Sequence, residues 1–99
     1  IVLCTPENLG YMSGGMKLFL DRIYYPCLEV TAGLPCALVV RAGTDGTGAL
    51  AGLRRILTGL RWREVQEPLL VVGEFEEQHL AQAHDLGATL AAGLACGLY

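Results

Sequence analysis

The sequence is short of positive charge. Seven Lys and Arg stand against ten Asp and Glu, a formal net charge of -3, which argues against a nucleic-acid footprint, so no DNA or RNA partner is expected. Long apolar runs are also missing: the longest, such as Leu34 to Val40, fall far short of the roughly 20 residues that span a bilayer. No basic-then-apolar signal peptide opens the chain, so a soluble, cytoplasmic protein with no membrane partner is expected. The four cysteines, Cys4, Cys27, Cys36 and Cys96, form no Cys-x-x-Cys pair and lie in apolar surroundings. Reduced core thiols are therefore expected in place of disulfides or a zinc site. An initiator methionine and a polar lead-in are absent too, because Ile1 opens the apolar run IVLC. Such an opening is expected of a chain that starts within a domain.

What remains is apolar and glycine-rich. In 99 residues, 53% are hydrophobic and 13 are glycine, the composition of one compact domain or a piece of one. A chain of this length buries only about two-thirds of the surface its unfolded form exposes, so every core element counts.

IVLCT, from Ile1 to Thr5, reads as a short buried strand closed by Pro6 and followed by the loop PENLGYMSGG. Met16, Phe19, Leu20 and Ile23 then recur at helical spacing, predicting an amphipathic helix capped by Ser13 and ending near Tyr25, before Pro26. Cys36 to Val40 is apolar throughout, as expected of a strand covered by helices on both faces of a parallel sheet. After the turn RAGTDGTG, the residues Leu50, Leu53, Ile56, Leu57 and Leu60 line one face of a second helix, with Gly59 marking its end. PLLVVG reads as a third strand with Pro68 at its start or at a sheet edge. From Glu76 to about Ala95, Leu80, Ala83, Leu90 and Leu94 form the apolar stripe of a third helix. Strand and helix alternate three times, which predicts an α/β fold with an open parallel sheet and helices on both faces.

In open α/β sheets ligands bind beyond the carboxyl ends of the strands, so two loops carry the functional interest. Thr5 to Gly15 combines a stiff proline exit, the Asn8 amide, the Tyr11 ring and small residues opening a helix. Ala42 to Gly48 has three glycines that allow close backbone approach and two threonine hydroxyls. The second loop is not a P-loop, because Gly48 is followed by Ala49 and Leu50 where Lys and Ser or Thr would be needed, and GxGxxG is absent. His79 and His84 lie about 500° apart around a helix axis and do not share a metal-binding face. Neither has a flanked Ser or Cys that would suggest a catalytic triad. Trp62 reads as packing over a sheet edge, although both it and Arg61 are hot-spot residue types.

The arrangement TPEN, then GYMSGGMKLFLDR, then a strand ending RAGTDGTGAL, then LRW and PLLVVGE, resembles the C-terminal part of a flavodoxin-like protein. The resemblance covers essentially the whole chain and falls in the branch that includes NAD(P)H-dependent FMN reductases and quinone reductases. It implies a flavodoxin-like three-layer sandwich with a parallel sheet, whose N-terminal strands and FMN phosphate loop precede Ile1. It also implies that Thr5, Pro6, Glu7, Asn8, Leu9, Gly10, Tyr11, Met12 and Ser13 embrace the flavin ring, with Gly43, Thr44, Asp45 and Gly46 at its other edge. Lys17, Asp21 and Arg22 match the family's helix motif and are expected to hold that helix end and its neighbouring loops. FMN would be the cofactor, NAD(P)H the reductant and a small molecule such as a quinone the acceptor, with no catalytic side chain. A homodimer is a further expectation of the resemblance, with Tyr24, Tyr25 and Pro26, or the third helix, as its contact. The alternative is an electron carrier or an interaction module that does not turn over NAD(P)H. A receiver-like signalling domain is disfavoured, because Cys4 and Thr5 stand where its phosphoacceptor Asp would be expected.

Overall fold

The computed structural model describes all 99 residues. Its elements in chain order are β1 (Val2–Asn8), β2 (Tyr11–Met12), α1 (Gly14–Leu28), β3 (Pro35–Ala42), α2 (Thr47–Leu60), β4 (Arg63–Glu64), β5 (Leu69–Val72) and α3 (Glu77–Ala95). β3 is the central strand. It pairs in parallel with β1, from Val2 opposite Ala37 to Pro6 opposite Arg41, and on its other side with β4 and then β5. β2 adds an antiparallel edge to the far side of β1 at Glu7 and Asn8. The result is an α/β sandwich with a mostly parallel sheet, α1 and α2 over one face and α3 over the other.

The period-2 geometry of β3 decides which side chains build which core. Cys36, Leu38, Val40 and Ala42 join Leu3 of β1, Leu20 of α1 and Leu50, Leu53, Leu57 and Leu60 of α2 in the main cluster. Ala37 turns the other way, to Leu86 and Leu90 of α3, with Val39 and Leu69 beside it. Apolar on both faces, β3 is the doubly covered strand its sequence predicts.

β1 is not doubly covered. Leu3 and Thr5 are buried, but Val2 and Cys4 are exposed on the face that α3 leaves bare. An apolar run alone cannot reveal this, because it reports hydrophobicity and not how many layers lie above it. The cysteines divide accordingly, which corrects the expectation of four core thiols: Cys36 is buried and Cys27 half-buried, while Cys4 and Cys96 are exposed. Burial, and secondarily the nearby Glu64 carboxylate, push the Cys36 thiol above its ordinary pKa and keep it protonated. A thiol titration of the native protein should show fast reaction at Cys4 and Cys96, with Cys36 reacting only on unfolding. Loss of one fast equivalent in Cys4→Ser checks the assignment.

Three boundaries differ from their sequence predictions for local reasons. β1 runs through Pro6 to Asn8 instead of ending at Pro6, because its outer edge is open there and a missing N–H costs little on an edge strand. The loop then closes as a two-residue hairpin with Leu9 at φ 53° and Gly10 at φ 74°, the left-handed pair of a tight turn that matches strand twist. α1 passes Tyr25 and includes Pro26, which lies in its last turn and so removes only one late backbone bond. The turn is closed by Thr31, whose N–H and hydroxyl both donate to the Cys27 carbonyl. The same hydroxyl accepts the indole N–H of the buried Trp62 at 2.8 Å, so Trp62 is a core residue of the main cluster.

α2 extends past Gly59 to Leu60, with Arg61 in the left-handed cap position. Gly59 instead makes room for Tyr24, whose hydroxyl lies 2.3 Å from where a Cβ would stand. On α3 the buried residues are Leu86, Leu90 and Gly93, while Leu80 and Leu94 of the predicted stripe are 61% and 49% exposed. Leu86 and Leu90 pack with Ala37, beside Val39 and Leu69, and Leu80, near the start of the helix, lies outside that cluster. His79 has a structural role: its Nδ1 accepts the Glu76 N–H at 2.9 Å and closes a capping box. No helix is long and apolar enough to cross a membrane.

Candidate functional site

The carboxyl ends of β1, β3 and β5 lie side by side, and both nominated loops leave from this edge. They also touch each other. The Glu7 carboxylate, carried by β1, accepts the N–H of Ala49 at 2.9 Å in the first turn of α2. One residue earlier, a Cβ on Gly48 would stand 1.8 Å from the Gly10 carbonyl oxygen, so the hairpin turn rests directly on helix backbone. One turn further along, the Tyr11 ring lies over Gly52, with its Cε1 2.4 Å from a would-be Cβ. Gly48 and Gly52 are four apart and share one helix face, which is how they form a seat for the hairpin.

The base of the first loop is closed by two hydroxyls. Thr5 is 1% exposed, and its Oγ1 accepts the Ser13 N–H at 3.0 Å. Its hydroxyl hydrogen faces the Pro6 carbonyl at 2.9 Å and the Ser13 Oγ at 3.3 Å. Ser13 Oγ in turn accepts the Met16 N–H at 3.1 Å and caps α1. Replacing Thr5 by valine keeps the shape but leaves the Ser13 N–H unpartnered, for an expected loss of about 1–3 kcal/mol. A wild-type denaturation midpoint for Thr5→Val would refute that network.

In the second loop Gly46 is the residue before α2, at φ 76° and packed against Val40. Asp45 Oδ1 accepts both the N–H and the hydroxyl of Thr47, each at 2.9 Å. These bonds, the backbone one first, hold the Asp45 carboxyl below its ordinary pKa. The first turn of α2 therefore already carries two carboxylates, from Asp45 and Glu7, on the amides of Thr47 and Ala49. An anionic phosphate would meet those charges there instead of free donors.

The expected site residues sort into two groups. Pro6, Asn8, Leu9, Gly10, Tyr11, Gly43, Thr44 and Asp45 are exposed along the edge. Thr5, Met12 and Gly46 are buried, and the side chains of Ser13 and Glu7 are engaged in caps. The Asn8 carboxamide makes no hydrogen bond within the protein, and no atom lies within 4 Å of where a Cβ on Gly43 or Gly14 would stand. Neither surface hollow lies between the loops. The larger, about 530 Å³, is bounded by Arg54, Glu64 and Glu67 toward the amino ends of the strands, where Arg54 makes a two-pronged bond to Glu64. The smaller, about 220 Å³, lies on α1 beside Lys17 and Tyr24.

Lys17 and Asp21 pair with each other on the exposed side of α1, and the bond raises the lysine pKa. The sequence marks Gly48 only as one of the second loop's glycines that allow close backbone approach, and it does not single out Gly52 or Arg41. The glycine spacing on one helix face was the available signal for the first two. Arg41, the only cation on β1, β3 or β5, donates through Nη1 to the carbonyls of Ala42 and Val71 and ties two strand ends together. No group of three His, Cys, Asp or Glu side chains is placed to hold a metal.

An α/β sandwich with a mostly parallel sheet and its open loops at the carboxyl edge is a flavodoxin-like domain. The family model described as NADPH-dependent FMN reductase matches residues 1–77, and the chain belongs to that family. That match takes in both loops and ends at the start of α3. No curated protein matches the chain.

Proposed function

We propose that this domain binds FMN at the carboxyl edge of its sheet and serves as an NAD(P)H-dependent reductase of a small acceptor such as a quinone. The observation that carries the reading is the convergence of the hairpin and the β3–α2 loop at that edge, in a chain of this family. The residues present fit the ring of the cofactor. Asn8 offers an unpartnered amide, Thr44 an exposed hydroxyl, and Gly10 and Gly43 leave space for a planar group to approach main chain. They do not offer a phosphate site at α2, whose first-turn amides at Thr47 and Ala49 are already bonded to carboxylates.

FMN, when bound, supplies two-electron redox chemistry that no side chain here provides. The protein's part is to bind and orient. Backbone groups from Pro6 to Gly10 and from Gly43 to Gly46 hold the ring edges, and the hydroxyl network of Thr5 and Ser13 keeps the first loop in place. Tyr11 is the one aromatic in either loop, and its ring is engaged on Gly52. That supports an enzyme over an electron carrier, whose flavin is usually stacked between aromatic side chains.

The test is titration of FMN into the chain, and in parallel into the product of its complete reading frame, followed by quenching of flavin fluorescence. Saturable quenching followed by NADPH-dependent bleaching without air supports the reading. Bleaching only with a partner reductase would identify a carrier, and no quenching in either protein would refute flavin binding.

A further inference from the structure

The Glu7 carboxylate is part-buried between the hairpin and α2, bonded to the Ala49 N–H, and no Lys, Arg or His pairs with it. It is the only side chain of the hairpin that hydrogen-bonds to α2, and it brings a full negative charge into the corner where the two loops meet. The Gly10 and Gly48 backbones close against each other beside it, so the charge is held in place and cannot swing out as a surface glutamate would. A fixed carboxylate with no cationic side-chain partner, eased only by a first-turn amide of α2, opposes whichever oxidation state of a neighbouring redox group is the more negative.

We propose that Glu7 is a positioning residue that sets the reduction potential of the flavin, its carboxylate opposing reduction of FMN bound at the carboxyl edge beside the hairpin. This inference rests on the flavin reading above. Reduction adds two electrons and one proton to FMN, so above neutral pH the reduced form carries one more negative charge than the oxidised form. The Glu7 carboxylate repels that charge. Glu7 thereby keeps the bound flavin strongly reducing, which favours onward transfer to an acceptor. The Oε2 of the side chain is engaged by the Ala49 N–H, which fixes where the charge sits.

Glu7→Gln tests this with little change of shape, since the new amide carbonyl can still accept the Ala49 N–H. The FMN-loaded product of the complete reading frame is titrated at pH 8 with dithionite in the presence of a reference dye. The preference for reduced over oxidised FMN should rise about tenfold, a shift of about 30 mV to more positive potential for a two-electron couple. Glu67→Gln, at the opposite end of the sheet, is expected to leave the potential unchanged. Hydrogen exchange at the Ala49 amide, measured without cofactor, should match wild type in Glu7→Gln and rise in Glu7→Ala. FMN bound by both proteins at equal potential overturns the inference alone. Fast Ala49 exchange in the wild type overturns its geometric basis. Failure of the wild type to bind FMN at all overturns the flavin reading instead.

Discussion

Gly48→Ala is expected to destabilise the protein by about 2–3 kcal/mol, at the upper end of the usual cost of overpacking. That corresponds to a fall in melting temperature of roughly 8–24 °C for a domain of this size. The added methyl would stand 1.8 Å from the Gly10 carbonyl oxygen and 2.7 Å from its carbon. Neither atom belongs to a side chain that can rotate away, so the hairpin must lift from α2. Lifting it also lengthens the 2.9 Å bond from the Ala49 N–H to Glu7 and moves one of the two loops proposed to hold the flavin relative to the other. A thermal melt measures the first effect and FMN titration the second. Gly43→Ala separates them, because nothing lies within 4 Å of that methyl and its φ is one a side chain accepts. Its melting temperature should stay near wild type while FMN affinity falls. A Gly48→Ala protein with unaltered stability would show that the hairpin does not rest on α2.

Leu38→Ala is expected to cost more, about 2–5 kcal/mol, the range for deleting a fully buried leucine. Leu38 is 0% exposed at the middle of the central strand, and its loss opens a cavity in the main core cluster. Domains of this kind are stable by only about 5–15 kcal/mol, so the variant should lie close to unfolding at body temperature. A urea titration checks this, with a lower midpoint at unchanged slope. Leu80→Ala is the contrast. Leu80 is as apolar in sequence but 61% exposed near the start of α3, and its replacement should change stability by less than about 0.5 kcal/mol. Equal losses from the two variants would mean that α3 packs more extensively than this structure shows.

Much of the fold was legible because periodicity survives in a single sequence. Of the predicted stripe, Leu50, Leu53, Leu57 and Leu60 are buried in α2 and Ile56 is half-buried against the same cluster, and the unbroken apolar run of β3 is covered on both faces. The α3 stripe misled at its ends, since 3.6-residue spacing marks a face but not how far the neighbouring sheet extends beneath it. The hairpin was hidden for a different reason. Its turn is Leu9–Gly10, without the Asn-Gly or Asp-Gly signal, and β2 is only two residues long.

Local sequence determined the alternation of strands and helices, the cap at Ser13, the absence of a P-loop and the two loops that leave the carboxyl edge of the sheet. These depend on spacing, on turn-forming residues and on motif chemistry within a few positions of one another. Only the tertiary structure decided that Glu7 reaches Ala49, that Gly48 and Gly52 seat the hairpin, and that Cys4 is exposed while Cys36 is buried. Each of those facts joins residues about 40 apart in the chain or depends on which layer covers a strand. Such contacts are made by packing, and neither composition nor local periodicity encodes which surfaces meet.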